Sequence, residues 1–116
     1  MLKITPDTFA AFTAIEERAF IARLTAFLRD AVPALAGEPP AAMDAQVRLQ
    51  IEAARNYGMT SERAVAAYVL TAAQLGPDFP DRFAAARDIL LTPMVGDRKA
   101  EQLEAFTVRL FEALAS

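Results

Sequence analysis

Prolines and glycines fall in clusters that divide this chain into segments of helical periodicity. They lie within residues 33–40, at Gly58, within 76–80 and within 93–96. Between the clusters, apolar residues recur every three or four positions, which is the spacing of an amphipathic helix and not the alternation of a half-buried strand. We therefore predict a compact all-α bundle of about five helices joined by short loops.

The length and composition fit one folded unit. The chain has 116 residues, of which 54% are hydrophobic and 23% charged. A chain of this size commonly forms a single domain, and it has enough apolar material to fold. We expect residues 1–116 to form one helical bundle domain.

The first two helices have clear start and stop signals. Thr5 is expected to cap the first helix, with Pro6 at its first position. The second helix is expected from about Pro40 to Tyr57, with Gly58 as the left-handed residue after its end. The predicted core face of the first helix is Phe9, Phe12, Phe20, Leu24, Phe27, Leu28 and Ala31, and that of the second is Met43, Val47, Ile51 and Ala54.

The third helix is predicted to be the central, buried element of the bundle. Thr60 is expected to cap it, and Gly76-Pro77 is expected to end it. No charged side chain occurs between Ala64 and Leu75. A helix that is apolar all round is buried by its neighbours.

Two further helices complete the bundle. A short one is expected over about Asp81 to Leu91, and the last is expected to run from an Asp97 cap to Ala115. The predicted inward face of the last helix is Leu103, Phe106, Leu110 and Leu114.

The residue inventory argues against an enzyme. The chain has no histidine and no cysteine, so imidazole bases, thiol nucleophiles and zinc clusters are excluded. Ser61 lies in a helix start without an evident base, and Lys3 and Lys99 are expected to be exposed. We expect no cofactor and no metal.

Acidic residues offer only weak candidates for chemistry. Glu16 lies within the apolar arc of the first helix, where it is either a structural carboxylate that could pair with Arg23 or an acid in a polar pocket. Two carboxylate pairs have a spacing that could begin a metal site, but solvated surface acids explain both: Glu101 with Glu104, and Asp78 with Asp81.

Nucleic acid and membrane partners are not expected. The formal net charge is −3 and the sequence pI is about 4.9, which is the wrong sign for neutralising phosphates. The turn around Gly58 resembles that of a helix-turn-helix, but the following helix offers Arg63 beside Glu62 and then apolar surface. No stretch approaches the roughly 20 apolar residues of a membrane span, and Met1–Asp7 lacks the apolar run of a secretory signal, so a cytoplasmic location is expected.

Two turns carry a resemblance to a known group. The run Tyr57-Gly58-Met59-Thr60-Ser61-Glu62-Arg63, followed by Gly76-Pro77-Asp78-Phe79, resembles small all-helical bacterial proteins encoded beside type VI secretion or phage-like effector cassettes. The chain departs from that pattern at Ala64 and within 79–83. The resemblance implies an accessory of an antibacterial effector cassette, either an immunity protein or an effector adaptor, and it transfers no catalytic residue.

The leading hypothesis is a non-enzymatic, cytoplasmic module that binds a partner protein, such as a toxin or its delivery component. The apolar residues expected to lie outside the core, or in the Gly76–Phe79 turn, are its candidate anchors: Ile21, Leu49, Leu70, Phe79 and Val108. Two alternatives remain open. One is a homo-oligomeric structural protein that associates through the third helix, and the other is a small-ligand-binding domain with Glu16 in a polar pocket.

Overall fold

The computed structural model describes the backbone of residues 6–115 and the side chains of residues 17–115. Within that backbone the chain forms six α-helices and one 3-10 helix, with no strand, so the predicted all-α fold is confirmed. The elements are α1 (Pro6–Ala31), a 3-10 helix (Pro33–Leu35), α2 (Pro40–Asn56), α3 (Glu62–Leu75), α4 (Phe79–Arg82), α5 (Ala84–Leu91) and α6 (Gly96–Ala115).

Helix α3 is the central element, as predicted. It packs against α1, α2, α4 and α6, and its buried residues are Ala64, Val65, Ala67, Tyr68, Val69, Thr71 and Ala72. Its N-cap is Ser61, whose hydroxyl accepts a hydrogen bond from the Ala64 amide at 3.0 Å. The expected cap, Thr60, was wrong by one residue, because the helix begins at Glu62.

Helix α2 follows its predicted pattern closely. Its buried residues are the four of the expected stripe. The turn after it places Gly58 at a φ of +80°, the left-handed conformation in which glycine has no Cβ penalty. The amide of Met59 then returns to the Ala54 carbonyl oxygen at 3.0 Å, which closes the helix end.

Helix α1 buries Leu24 and Leu28 of its predicted core face, but not Phe27 or Ala31. Ile21, Leu24 and Leu28 are buried, whereas Phe27 is 52% exposed. The expectation that Ile21 lies outside the core is therefore wrong, and so is the inward placement of Phe27. Contacts with α2 and α3 determine which face of α1 lies inward. The predictions for Thr5, Phe9, Phe12 and Glu16 concern positions outside the described residues or side chains.

The predicted fourth helix is two helices. Phe83 is extended, with φ −123° and ψ 102°, and it separates α4 from α5. Its ring lies edge-on to the Phe106 ring of α6, with centroids 5.8 Å apart. Phe79 begins α4 and is completely buried, with its ring centroid 5.1 Å from that of Tyr68.

Helix α6 covers α3 with its first half. Its buried residues are Lys99, Ala100, Leu103 and Thr107, whereas Leu114, expected to face inward, is 72% exposed. Lys99 was expected to be exposed, but it is 6% exposed. Its ammonium group is held by two main-chain carbonyl oxygens, those of Tyr57 and Leu90, at 2.6 and 2.8 Å.

Candidate functional site

A groove of about 610 Å³ between α3 and α6 gathers exposed apolar side chains. Phe27 of α1 reaches it from one side, and Val108 and Phe111 of α6 reach it from the other. Their exposed fractions are 52%, 56% and 44%. We call this surface the α3–α6 groove; its lining residues are Phe27, Arg63, Ala66, Ala67, Leu70, Thr71, Gln74, Glu104, Thr107, Val108, Phe111 and Glu112.

The periodicity of α6 explains why these side chains remain outside. Ala100, Leu103 and Thr107 form the face that packs against α3. Val108 follows Thr107 by about 100° around the helix, and Phe111 lies one turn beyond it on the same side. The helix therefore has a second apolar edge that the bundle does not cover.

The two threonine hydroxyls of the groove wall are satisfied within their own helices. The Thr71 hydroxyl donates to the Ala67 carbonyl oxygen at 2.8 Å, and the Thr107 hydroxyl donates to the Leu103 carbonyl oxygen at 2.9 Å. Each threonine therefore presents its methyl group without leaving an unsatisfied hydroxyl. The two threonines therefore add apolar surface to the wall between α3 and α6.

One end of the groove carries an ion pair. A guanidinium nitrogen of Arg63 lies 3.6 Å from a Glu104 carboxylate oxygen. The same guanidinium donates to the main-chain oxygen of Asp97 at 3.0 Å, which fixes its position beside the start of α6. An exposed pair of this kind adds little stability but can set the orientation of a bound partner.

The structure divides the candidate anchors into three groups. Leu70 and Val108 line the groove, as a binding role requires. Leu49 is 61% exposed on α2 but does not line the groove. Ile21 and Phe79 are buried core residues and present no surface to a partner, which corrects their selection.

Sequence reasoning missed Phe27 and Phe111. Phe27 and Leu28 are neighbours separated by about 100° on α1, so a narrow core stripe cannot bury both fully. That signal could have identified one of them as exposed. Phe111 shares a face with Val108, at a spacing of three residues, which marks an apolar edge distinct from the Leu103 face.

The polar candidates have structural partners. The Ser61 hydroxyl donates a hydrogen bond to the Asp97 carboxylate, so the cap also ties α3 to α6. Three of the suspected metal-site acids pair with arginines: Glu101 with Arg98, Glu104 with Arg63, and Asp78 with Arg82. Among the described residues, no group of three or more acidic side chains is placed to hold a metal ion. Glu16 lies outside the described side chains.

The turn around Gly58 does not present α3 as a DNA-reading helix. Ala64, Val65 and Tyr68 are buried near the start of α3, and α2 and α6 pack against the helix. Arg63 is engaged by Glu104 and Asp97. The turn acts as a packed helix corner.

Among the helices in the described part of the chain, none combines the length and hydropathy that crossing a membrane requires. Comparison of the chain with protein-family models, with curated proteins and with solved structures gives no match.

Proposed function

We propose that this protein is a non-enzymatic binding module that receives an apolar segment of a partner protein in the α3–α6 groove. The observation that carries the proposal is the cluster of large exposed apolar side chains that line one groove: Phe27, Val108 and Phe111. At their exposed fractions these three leave roughly 300 Å² of apolar surface, a size that is often functional on a soluble protein.

The shape of the groove favours a helical ligand. Two helices form its walls, and Phe27 and Phe111 provide aromatic contact surface along it. An amphipathic helix binds such a surface with residues spaced three and four apart. The Arg63–Glu104 pair at one end supplies charges that select the orientation of that helix.

The resemblance of the two turns to effector-cassette proteins supports a partner class. We propose that the partner is a secreted antibacterial toxin or a component of its delivery apparatus, and that the protein works in the cytoplasm as an immunity protein or an adaptor. Neutralisation of the toxin in co-expressing cells distinguishes immunity from an adaptor role, since an adaptor promotes export without blocking the toxin's activity.

The decisive experiment co-expresses the tagged protein with the products of its neighbouring genes. We expect one of them to form a stoichiometric complex with the wild type, and V108E and F111E to lose it. The control is L49E, which places the same charge at a residue exposed to a similar degree outside the groove. Retention of the complex by both groove variants, or its loss in the control, contradicts the proposal.

The oligomeric state must be measured in parallel. Light scattering on the wild type alone shows whether the protein self-associates, as the homo-oligomeric alternative requires. A dimer that V108E dissociates, together with the absence of any complex with neighbouring gene products, overturns the proposal of a different partner.

A further inference from the structure

A second cavity, between α2 and α3, has a lining that indicates a small-molecule ligand. It has a volume of about 530 Å³ and lies away from the α3–α6 groove. We propose that this slot binds a small molecule with an apolar body and an amino group, that is, an alkyl or aryl ammonium compound. We call it the α2–α3 slot.

Small side chains create the space. Ala42 and Ala45 of α2 and Ala72 and Ala73 of α3 line the slot. Helices in contact usually interdigitate larger side chains and leave few voids. Four alanines at this contact leave a mostly apolar cleft within the size range of small-molecule sites.

Gln50 supplies the first sign of a polar ligand. It lines the slot, and its side-chain carbonyl oxygen is buried with no hydrogen-bond donor among the described residues. A buried acceptor without a donor is costly and rare in folded proteins. In the proposed complex, the Gln50 side chain turns this oxygen toward the ligand, and an N–H of the ligand provides the missing donor.

The charge of the lining selects the ligand class. Glu38 is the one charged residue among the described residues that line the slot, and no lysine or arginine lines it. Arg29 donates to the main-chain oxygen of Glu38 at 2.8 Å but is not part of the lining. A carboxylate and an amide oxygen both accept hydrogen bonds, so the lining suits an ammonium group and disfavours a carboxylate.

The length of the slot along α2 indicates the length of the ligand. Glu38 lies just before α2 and Gln50 lies in its third turn. On α2 the levels of Ala42 and Gln50 are about 12 Å apart at the helical rise per residue. An apolar chain of about this length running along the slot can place an amino group near either acceptor. Substitution of Gln50 and of Glu38 reports which acceptor is used.

The test compares two probes of equal chain length and opposite charge, decylamine and decanoate, below the concentrations at which they form micelles. Calorimetry measures affinity, and NMR chemical shifts locate the site. We expect decylamine to bind with one-to-one stoichiometry and to shift the Gln50 side-chain amide and the Ala72 and Ala73 amides. Decanoate is expected to bind at least about tenfold more weakly, since the lining offers it no cation.

Variants separate a ligand site from a structural feature. A73L fills the slot and is expected to reduce decylamine affinity by more than about tenfold while the fold is retained by circular dichroism. Q50L removes the acceptor and E38Q removes the charge; at least one is expected to weaken binding about fivefold. The charge-matched control E52Q changes an exposed glutamate of α2 that does not line the slot, and it should bind as the wild type does.

The contrary results are specific. No binding of decylamine overturns the proposal, as does equal affinity for decanoate. If A73L binds decylamine as tightly as the wild type does, the probe lies outside the slot and the proposal is overturned. NMR chemical-shift changes confined to the α3–α6 groove have the same consequence. If Q50L and E38Q both bind as the wild type does, the two acceptors do not recognise the amino group and the ligand class is wrong.

Discussion

The Lys99 ammonium group donates a hydrogen bond to the main-chain oxygen of Tyr57 at 2.6 Å, which joins the start of α6 to the end of α2. A second bond, to the Leu90 oxygen at 2.8 Å, brings the end of α5 to the same point. A cation at helix C-termini satisfies carbonyl oxygens that have no partner within their own helices and is favoured by the helix dipoles. Lys99 therefore holds three helices at one junction.

Replacing Lys99 by methionine should destabilise the fold strongly. K99M keeps most of the side-chain length but removes both bonds and leaves the two carbonyl oxygens without their donor. We expect the free energy of unfolding to fall by about 2–4 kcal/mol. Urea denaturation followed by circular dichroism measures the loss.

The neighbouring Arg98 provides the control. Its guanidinium is exposed and pairs with Glu101 one helical turn away. R98M should change the free energy of unfolding by less than about 0.5 kcal/mol. Equal effects of K99M and R98M would show that the buried position of Lys99 contributes nothing.

The same junction depends on close backbone contact at Gly96. A Cβ on Gly96 would lie 3.0 Å from the Gly58 carbonyl oxygen and 3.1 Å from the Met59 Cα, and backbone atoms cannot easily move aside. We expect G96A to reduce the free energy of unfolding by about 1–3 kcal/mol. In contrast, a Cβ on Gly37 meets nothing within 4 Å.

G37A is the matched comparison because it adds the same methyl group in open space. It should leave stability unchanged or raise it by up to about 1 kcal/mol, since alanine restricts the unfolded chain. Paired denaturation curves give the change in the free energy of unfolding for G96A and for G37A. A stable G96A protein would refute the close approach of the two turns.

The buried aromatic pair gives a prediction about a residue first selected as a binding anchor. Phe79 is completely buried and packs on Tyr68. F79A should cost about 3–5 kcal/mol of stability, because it removes a large side chain from the core and leaves a cavity. L49A, at an exposed position, should change stability by less than about 0.5 kcal/mol. Thermal unfolding of both variants checks the contrast, and a mild F79A effect would place Phe79 at the surface.

Local patterns were sufficient for some helices and not for others. The stripe Met43, Val47, Ile51 and Ala54 was predictable because charged residues occupy the opposite face of α2 and Gly58 marks its end. Helix α1 has a wide apolar arc that includes both Ile21 and Phe27. Which of them is buried depends on where α2 and α3 lie, and no local pattern encodes that.

The α3–α6 groove and the Lys99 junction also differ in how far the sequence predicts them. Val108 could be selected because it falls outside the predicted inward face of the last helix, and Leu70 because it was expected to lie outside the core. The carbonyl partners of Lys99 lie 42 and 9 residues away in sequence, so the burial of Lys99 follows from the packing of chain turns. Main-chain oxygens have no sequence signature, which is why a lysine beside a helix start was expected to be solvated.

The capping prediction separates Ser61 from Thr60. The Ser61 hydroxyl accepts from the Ala64 amide and donates to Asp97. S61A should lower the free energy of unfolding by about 1–2 kcal/mol, and T60A should have an effect below about 0.5 kcal/mol, since loss of an N-cap leaves an amide unsatisfied. Denaturation of both variants decides which residue caps α3. A larger loss of stability in T60A than in S61A would show that Thr60 is the N-cap and that α3 begins one residue earlier.

Stability at high pH should depend on Tyr68. Burial, together with smaller contributions from the nearby Tyr57 and Asp81, raises the pKa of the Tyr68 phenol to about 12. The ordinary value is about 10, so between these values the folded protein retains a proton that the unfolded chain releases. Stability from this group is therefore complete below pH 10 and is lost as the pH rises toward 12. The loss between pH 10 and pH 11.5 should be about 1.5 kcal/mol. Urea denaturation of the wild type and Y68F across this range isolates the effect, because the other titrating groups are common to both proteins. The difference in unfolding free energy between wild type and Y68F should decrease by that amount, and a difference that stays constant with pH would show that Tyr68 ionises as it does in the unfolded chain.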